Sequence, residues 1–245
     1  MWYKTEINKN IDGLEPFLSL FETQDAFYKH LFENINFLKK SDVEIQALQI
    51  IKKIDNNEKI PIRFTLKSKE YFHVPNMSNE RGFSKKNFKN KKEAQKFAEK
   101  HSLVHNETEI NVCVDKDGNY FVKKEIEKFL GYKVSAGAKS DIVNYVISHV
   151  FGNTSHPLYF TSLWNIVLIP NYLSFILDKP DENCALVKKV KKLVKAACFD
   201  IYKPNDLLKR DVIVEDEDFK KSIQAYRELV KREYITLKFL EKRNL

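Results

Sequence analysis

Apolar side chains in the first third of the chain are spaced at helical intervals, with one short stretch of alternation. The spacing is three or four positions across residues 11–38, which predicts a helical region. The segment Ser41–Glu44 has the form of a capping box and opens a second helix that extends to Ile54. Alternation of apolar and polar residues over Pro61–Leu66 predicts a strand, with Glu70–Val74 as its candidate partner. The apolar positions of the first region are Leu14, Phe17, Leu18, Phe21, Phe27, Leu31 and Phe37.

After residue 108 the pattern changes to strand-like segments that are followed by long amphipathic helices. Glu109–Val114 and Asn119–Val122 predict two strands joined by a tight turn. A helix is predicted over Lys123–Gly131, where the glycine marks the end. Two longer helices are predicted over residues 183–202 and 216–243, each with a stripe of apolar side chains on one face.

Together these elements predict an α+β fold that is mainly helical. Glycine (6) and proline (7) are scarce, which argues against a turn-rich sandwich built only from strands. A polar stretch around residues 101–108 predicts a boundary between two regions. Residues 1–105 would form a mostly helical N-terminal region with a role in DNA recognition. Residues 106–245 would contain the catalytic site and the C-terminal helices.

One segment in the second region has a distinctive order of apolar and polar positions. Two short apolar segments, Tyr145–Gly152 and Asn165–Asn171, flank a polar loop, and a helix-like run follows over Tyr172–Leu177. His149 falls near the end of the first apolar segment, and Asn165 opens the second one sixteen residues later. The pattern therefore predicts the order strand, loop, strand, helix with a histidine at the first strand end.

Residues 145–178 resemble the ββα-metal, or HNH, nuclease superfamily in this order and in the spacing of His149 and Asn165. The resemblance implies a metal-dependent endonuclease, of the restriction type, that hydrolyses phosphodiester bonds of double-stranded DNA. It implies that His149 is the general base and that Asn165 orients its imidazole. The chemistry is coherent, because hydrolysis needs a base for water and a cation, Mg²⁺ or Mn²⁺, beside the phosphate.

The metal positions depart from the pattern of that superfamily. Ser148 stands where the family has Asp or His, and Ser174 stands where it has His or Asn. Hydroxyl groups are weaker ligands for a hard divalent ion than carboxylates. Asp178 lies one helical turn beyond Ser174 and is a candidate to supply the missing charge, directly or through water. The other candidate ligands are Asn153, His156 and Asn171.

The net positive charge of the chain is consistent with a polyanionic partner but does not require one. Lys and Arg number 42 against 34 Asp and Glu, a net charge of +8, and an AT-biased genome would also give a lysine-rich composition. Five lysines surround one aromatic residue over Lys85–Lys92, before a helix predicted over Lys91–Lys100. Solvated surfaces explain such lysines equally well. The candidate contacts to DNA phosphates are Lys85, Lys86, Lys89, Lys188, Lys191, Lys192 and Lys195.

Other features limit the class of protein. Cys113, Cys184 and Cys198 form no CxxC pair, which indicates reduced thiols in a cytoplasmic protein and no structural zinc site. The first residues do not have the form of a signal peptide, and the apolar run Leu163–Leu177 is too short and too polar to cross a membrane. The oligomeric state stays open, with a homodimer as one candidate.

Two alternatives to a nuclease remain open from the sequence. The chain is compatible with a non-catalytic DNA- or RNA-binding protein, such as a regulator or a defence accessory, that keeps the ββα segment as a scaffold. It is also compatible with a structural helical adaptor. A different nuclease pattern, two carboxylates with a lysine, would use Asp115, Glu125 and Lys128, but their spacing fits it poorly.

Overall fold

A computed structural model describes residues 14–64, 72–75, 83–85, 88–105, 107–115, 119–134, 140–178 and 185–241. The helices are α1 (Leu14–Leu18), α2 (Gln24–Asn34), α3 (Lys40–Asp55), α4 (Lys91–Lys100), α5 (Tyr120–Leu130), α6 (Ser174–Asp178), α7 (Ala185–Tyr202), α8 (Pro204–Leu208) and α9 (Glu217–Lys231). The strands are β1 (Asn36–Leu38), β2 (Ile60–Ile62), β3 (Phe72–Pro75), β4 (Phe83–Lys85), β5 (Val104–His105), β6 (Val112–Val114), β7 (Tyr145–His149), β8 (Ile166–Pro170) and β9 (Lys238–Leu240).

The fold is α+β and mainly helical, which confirms the predicted class. Its residues divide into two units that are discontinuous in sequence. Unit 1 comprises Met1–Lys40, Val143–Val150 and Ile166–Glu241, and unit 2 comprises Ser41–Ile142, Phe151–Asn165 and Lys242–Leu245. The boundary predicted at residues 105–106 falls inside unit 2, and a division into two folding domains there stays a prediction. None of the helices in the described part of the chain is long and apolar enough to cross a membrane.

Unit 1 contains a four-stranded sheet in the order β7-β8-β1-β9. β8 is antiparallel to both of its neighbours, and β1 is parallel to β9. All five residues of β8 are buried, which explains why this strand is uninterruptedly apolar instead of alternating. One of the two inner strands of the sheet, β8, is therefore also the second strand of the predicted ββα segment.

The helices of unit 1 bury the apolar stripes that the sequence predicts. In α7 the side chains of Val187, Val190, Leu193 and Val194 are buried. α7 packs against α9, where the rings of Phe199 and Phe219 meet edge to face. The buried hydroxyl of Tyr202 donates to the carbonyl of Leu38 at 2.7 Å, which ties α7 to β1.

Unit 2 holds a two-stranded and a three-stranded sheet around its own core. β2 is parallel to β6, and β3 lies between β4 and β5 with both pairs antiparallel. The described residues of the two segments predicted to pair, 61–64 and 72–74, lie in different sheets, and residues 65–71 lie outside the described part of the chain. The parallel pair is favoured because it places apolar residues of both strands in one core, formed by Ile62, Phe64, Phe88, Ala94, Ala98, Leu103, Val112 and Val114.

Two predicted helices are shorter than expected, because their ends join the sheet of unit 1. The helix predicted across residues 11–38 ends at Asn34, and Asn36–Leu38 is a strand. The helix predicted over residues 216–243 ends at Lys231, and Lys238–Leu240 pairs with β1 in register. Helical spacing of apolar residues does not distinguish a helix from a short strand that is buried in a sheet.

The strand predicted over Asn119–Val122 is also wrong, since α5 begins at Tyr120. Asp115 explains the difference. Its side chain is fully buried and accepts hydrogen bonds from the backbone amides of Tyr120 and Phe121, at 3.3 and 3.0 Å. These amides belong to the first turn of a helix and have no partner within it, so the carboxylate stabilises the helix start. The helix ends as predicted, at Gly131 with a φ of +72°.

Replacing Asp115 by alanine should lower the free energy of unfolding by about 2 kcal/mol, because two amides at the helix start lose their acceptor. Urea unfolding followed by circular dichroism measures this difference. Asp115→Asn should lose less, since the amide oxygen still accepts one of these bonds. Asp55→Ala, at the exposed end of α3, serves as the control and should change stability by less than about 0.5 kcal/mol. Equal stability of Asp115→Ala and wild type would contradict the capping role.

Candidate functional site

The predicted order of strand, loop, strand and helix is present between residues 145 and 178. β7 and β8 are antiparallel partners over their whole length, from Tyr145 opposite Pro170 to His149 opposite Ile166. A 3-10 turn over Asn171–Leu173 leads directly into α6, and α6 packs against β7. The sequence therefore predicted the order of the elements correctly in this segment, and the structure adds the antiparallel pairing of the two strands.

His149 and Ser148 take different environments because successive strand residues point to opposite faces. Ser148 is 1% exposed and lies opposite Val167, whereas the side chain of His149 is half-buried. The imidazole of His149 is therefore placed at the last position of the strand, where solvent can reach it. The side chain of Ser148 is buried.

The three predicted metal ligands are Ser148, Ser174 and Asp178, and the structure describes the side chains of the two serines. The hydroxyl of Ser174 donates to the carbonyl of Asn171 at 2.8 Å. Asp178 ends α6, and its side chain lies outside the described residues. In the part of the chain that the structure describes, no group of three or more His, Cys, Asp or Glu residues could hold a metal ion. The roles of Ser148, Ser174 and Asp178 as ligands stay predictions.

Asn165 lies in unit 2 and is fully buried. Its side-chain oxygen accepts from the backbone amide of Phe151 at 2.8 Å, and its side-chain nitrogen donates to the carbonyls of Gly152 at 3.3 Å and Tyr159 at 3.0 Å. These bonds take both donors and one of the two acceptor positions of the amide. The role of Asn165 in orienting the imidazole of His149 stays a prediction. Through its three hydrogen bonds, Asn165 stabilises the loop Phe151–Asn165.

The same loop carries a cluster of rings that sequence analysis did not bring together. The rings of His105 and His156 meet edge to face at 4.8 Å, and His156 also contacts Tyr159 at 5.0 Å. Tyr159 in turn contacts Trp164, whose indole N–H is buried with no hydrogen-bond partner among the described residues. No local pattern in the sequence predicts this cluster, because His105 is distant in sequence from His156.

Burial, followed by repulsion from His105, lowers the pKa of His156 to about 4. The ring Nδ1 of His156 accepts from the backbone amide of Leu158 at 3.1 Å, so this nitrogen carries no proton. The imidazole is therefore neutral at neutral pH and acts as a fixed acceptor inside the loop.

The candidate phosphate-binding lysines lie in different surroundings. Lys188 is exposed, and Lys192 forms an ion pair with Asp218 of α9. This hydrogen bond lowers the pKa of the Asp218 carboxyl. Lys191 and Lys195 are half-buried, while Lys89 is exposed. Lys86 and the side chain of Lys85 lie outside the described residues. The predicted lysine face of α7 is thus present, and Asp218 of α9 neutralises the charge of Lys192.

Comparisons with known proteins identify relatives of the chain. A family model described as "Uncharacterised protein PM1201" matches residues 38–244. A protein of that description from Pasteurella multocida (strain Pm70) is 30% identical over 133 residues, which is 54% of each chain. The aligned part thus spans about half the length of this curated relative. No solved structure matches the chain.

Stability should fall as the pH is lowered from 6.5 to 4, because His156 holds fewer protons in the folded state than in the unfolded state across this interval. We expect a loss of about 2 kcal/mol, less than the full linkage value because the ring is partly exposed. Urea unfolding at a series of pH values measures the slope. His156→Gln should flatten it, whereas His101→Gln, at an exposed position, should not. The same slope in His156→Gln and wild type would show that another group is responsible.

Proposed function

The chain belongs to the family described as uncharacterised protein PM1201, and we propose that it is an endonuclease that hydrolyses phosphodiester bonds of double-stranded DNA. The observation that supports this proposal most directly is the ββα geometry. β7 and β8 form an antiparallel hairpin that leads into α6, and His149 occupies the last position of β7 with its side chain partly open to solvent. This is the arrangement that the HNH resemblance implies.

In the proposed reaction His149 is the general base. Imidazole titrates close to neutral pH, so its neutral form can take a proton from the water that attacks the phosphorus. The half-buried position suits this role, because a base must reach both water and a phosphate that arrives from solvent. The sheet fixes the backbone of His149 through its pairing with Ile166 in the buried strand β8.

The cation is part of the proposal only through the resemblance. Mg²⁺ or Mn²⁺ would stabilise the charge of the phosphate and of the leaving oxygen. Among the described residues no group of three or more His, Cys, Asp or Glu could hold the ion, and the proposed proton transfer involves only His149 and the attacking water. A cleavage assay with and without the divalent ion tests whether the ion is required.

Binding of DNA would rest on the lysines of α7 and on the net charge of +8. Lys188 is exposed, and Lys192 is held by an exposed carboxylate that a phosphate can replace. Cleavage of the restriction type follows from the resemblance alone. The free thiols of Cys113 and Cys198 suit a cytoplasmic location, and Cys184 lies outside the described residues. A homodimer remains a candidate state.

A second function, a nucleic-acid-binding protein without catalysis, is favoured by one specific set of observations. Ser174 is bonded to a carbonyl of its own turn, and the amide of Asn165 braces a loop. Both residues thus have structural roles that would be needed in an inactive ββα scaffold. A cleavage assay separates the two functions, because only the endonuclease cuts DNA.

Replacing His149 by alanine should abolish cleavage of plasmid and phage DNA in buffers with Mg²⁺ or Mn²⁺, while DNA binding stays within about threefold of wild type. The variant loses the base and keeps the phosphate contacts, so we expect a fall in rate of about 10² to 10⁴-fold. Gel assays measure cleavage, and fluorescence anisotropy with EDTA present measures binding.

His101→Ala is the control for this experiment, because His101 is exposed and lies at the end of α4 in unit 2. It should cut at the wild-type rate. Cleavage by His149→Ala at that rate would exclude His149 as the base. A wild-type protein that binds duplex DNA and never cuts it would favour the non-catalytic function.

Replacing Lys188, Lys191, Lys192 and Lys195 together by glutamine should weaken DNA binding and reduce its dependence on salt, because fewer counterions are released. Asp218→Asn should have the opposite effect, since it removes the carboxylate that competes with phosphate for Lys192. Affinities at two salt concentrations test both variants, and melting temperatures check that folding is intact. Unchanged affinity in the fourfold variant would show that this face of α7 is only solvated.

A further inference from the structure

A cleft of about 200 Å³ lies in unit 1, among α7, α8, α9 and the segments that join them. α7 contributes Phe199 and Asp200 to its lining, and α8 contributes Asp206. Glu215 comes from the segment that precedes α9, and Arg227 comes from α9 itself. Sites for drug-sized ligands have volumes of about 300 to 1,000 Å³, so this cleft is suited to a smaller molecule.

Two features of the chain hold the walls of the cleft in place. Lys203 joins α7 to α8 in the left-handed backbone conformation, with a φ of +47°, and its amide donates to the carbonyl of Phe199 at 2.8 Å. The side chain of Asn205 accepts from the amide of Ile213 at 2.9 Å and donates to the carbonyl of the same residue at 2.8 Å. The segment that carries Glu215 is therefore bound to α8.

One pair of charges at the cleft is balanced within the protein. Nε of Arg227 donates to Oδ1 of Asp200 at 2.9 Å, and Nη2 donates to the same oxygen. The hydrogen bond to Asp200 raises the pKa of the Arg227 guanidinium, and the charge of Glu215 adds to this effect without forming an ion pair. The charges of Asp200 and Arg227 thus cancel, and this side of the cleft is neutral.

Three further charged side chains at the cleft form no ion pair and no side-chain hydrogen bond within the part of the chain that the structure describes. They are one cation, Lys203, and two anions, Asp206 and Glu215, and all three are exposed. The carboxylates at the cleft do not converge into a group of described residues that could hold a metal ion. Asp206 and Glu215 can therefore each bind a separate cationic group, and Lys203 can bind an anionic group.

We propose that this cleft is a binding site for a basic amino acid, a molecule with one carboxylate and two cationic groups. The α-carboxylate would bind the ammonium of Lys203, and the two cationic groups would bind Asp206 and Glu215. The aliphatic part of the ligand would lie along the half-buried ring of Phe199. The ligand has a net charge of +1, and one free cation with two free anions gives the cleft −1, so the complex is neutral. This inference does not depend on the proposed endonuclease function.

The test is a titration of the full chain with L-lysine and with L-arginine at low ionic strength, followed by the amide signals of Lys203 and Glu215 in NMR spectra. We expect a dissociation constant of about 1 mM, because exposed ion pairs are individually weak. Two comparison ligands each lack one group of lysine: L-norleucine lacks the side-chain cation, and cadaverine lacks the carboxylate. Each should bind at least about tenfold more weakly than L-lysine, since one charged contact is lost.

Substitutions at the cleft assign the groups of the ligand to residues. Asp206→Asn combined with Glu215→Gln should weaken the binding of L-lysine at least about tenfold. Lys203→Met should weaken the binding of L-lysine but not of cadaverine, which has no carboxylate for the ammonium, and a loss of structure would not produce this difference. Asp211→Asn combined with Glu233→Gln is the matched control, because it removes two exposed carboxylates of unit 1 outside the cleft.

The control variant should bind L-lysine like the wild type. The amino acid that binds more tightly, L-lysine or L-arginine, identifies the preferred side-chain cation. Equal binding of L-lysine, L-norleucine and cadaverine would overturn the proposal, as would wild-type affinity in the Asp206→Asn/Glu215→Gln variant. A lack of binding of both basic amino acids at about twenty times the expected dissociation constant would overturn it as well.

Discussion

The conformation of the segment between the two strands of the ββα element depends on the hydrogen bonds of the buried Asn165 side chain. Apart from the 3-10 turn at its end, Phe151–Asn165 is a loop, and its residues 157–165 are all buried. A buried loop must satisfy its backbone polar groups without the ladder of a sheet or the repeat of a helix. Asn165 supplies three such bonds and Gln46 two more. In this loop, side-chain amides therefore satisfy buried backbone groups in addition to the turn hydrogen bonds that its backbone forms.

The residues of the ββα element are divided between the two units. The strands β7 and β8 belong to unit 1, while the segment that joins them belongs to unit 2. Within unit 1, the buried strand β8 fixes the register of β7, and the register in turn fixes which residue ends the strand. A shift of one residue would place His149 where Ser148 lies, at a buried position. The half-exposed imidazole at the strand end thus follows from the pairing in the sheet.

Two cations of unit 1 form ion pairs between α7 and α9. Lys192 of α7 and Arg227 of α9 are each paired with a carboxylate of the facing helix. Exposed pairs of this kind stabilise a protein by little, because solvent screens both charges. In the proposed binding of DNA, a phosphate would replace Asp218 as the partner of Lys192, and the affinity would depend on salt.

The sequence alone determined the fold class, the positions of α3, α4, α5 and α7, and the order of elements between residues 145 and 178. These features depend on periodicity and on local signals such as the glycine after α5, which act within a few residues. Asp115 shows where local interpretation fails. The turn-like sequence after Asp115 predicted a return strand. In the structure its buried carboxylate accepts from two amides in the first turn of α5, and a helix forms instead.

The tertiary structure decided the partners. β2 pairs with β6, some fifty residues away, and the ends of two predicted helices became strands beside each other. The bonds of Asn165, the contact of His105 with His156, and the bond of Gln46 to Leu163 likewise join positions that no periodicity relates. Hydrophobic spacing tells which face of an element is buried and not what it is buried against. The choice of partner depends on how much apolar surface and how many polar groups the whole chain can satisfy at once.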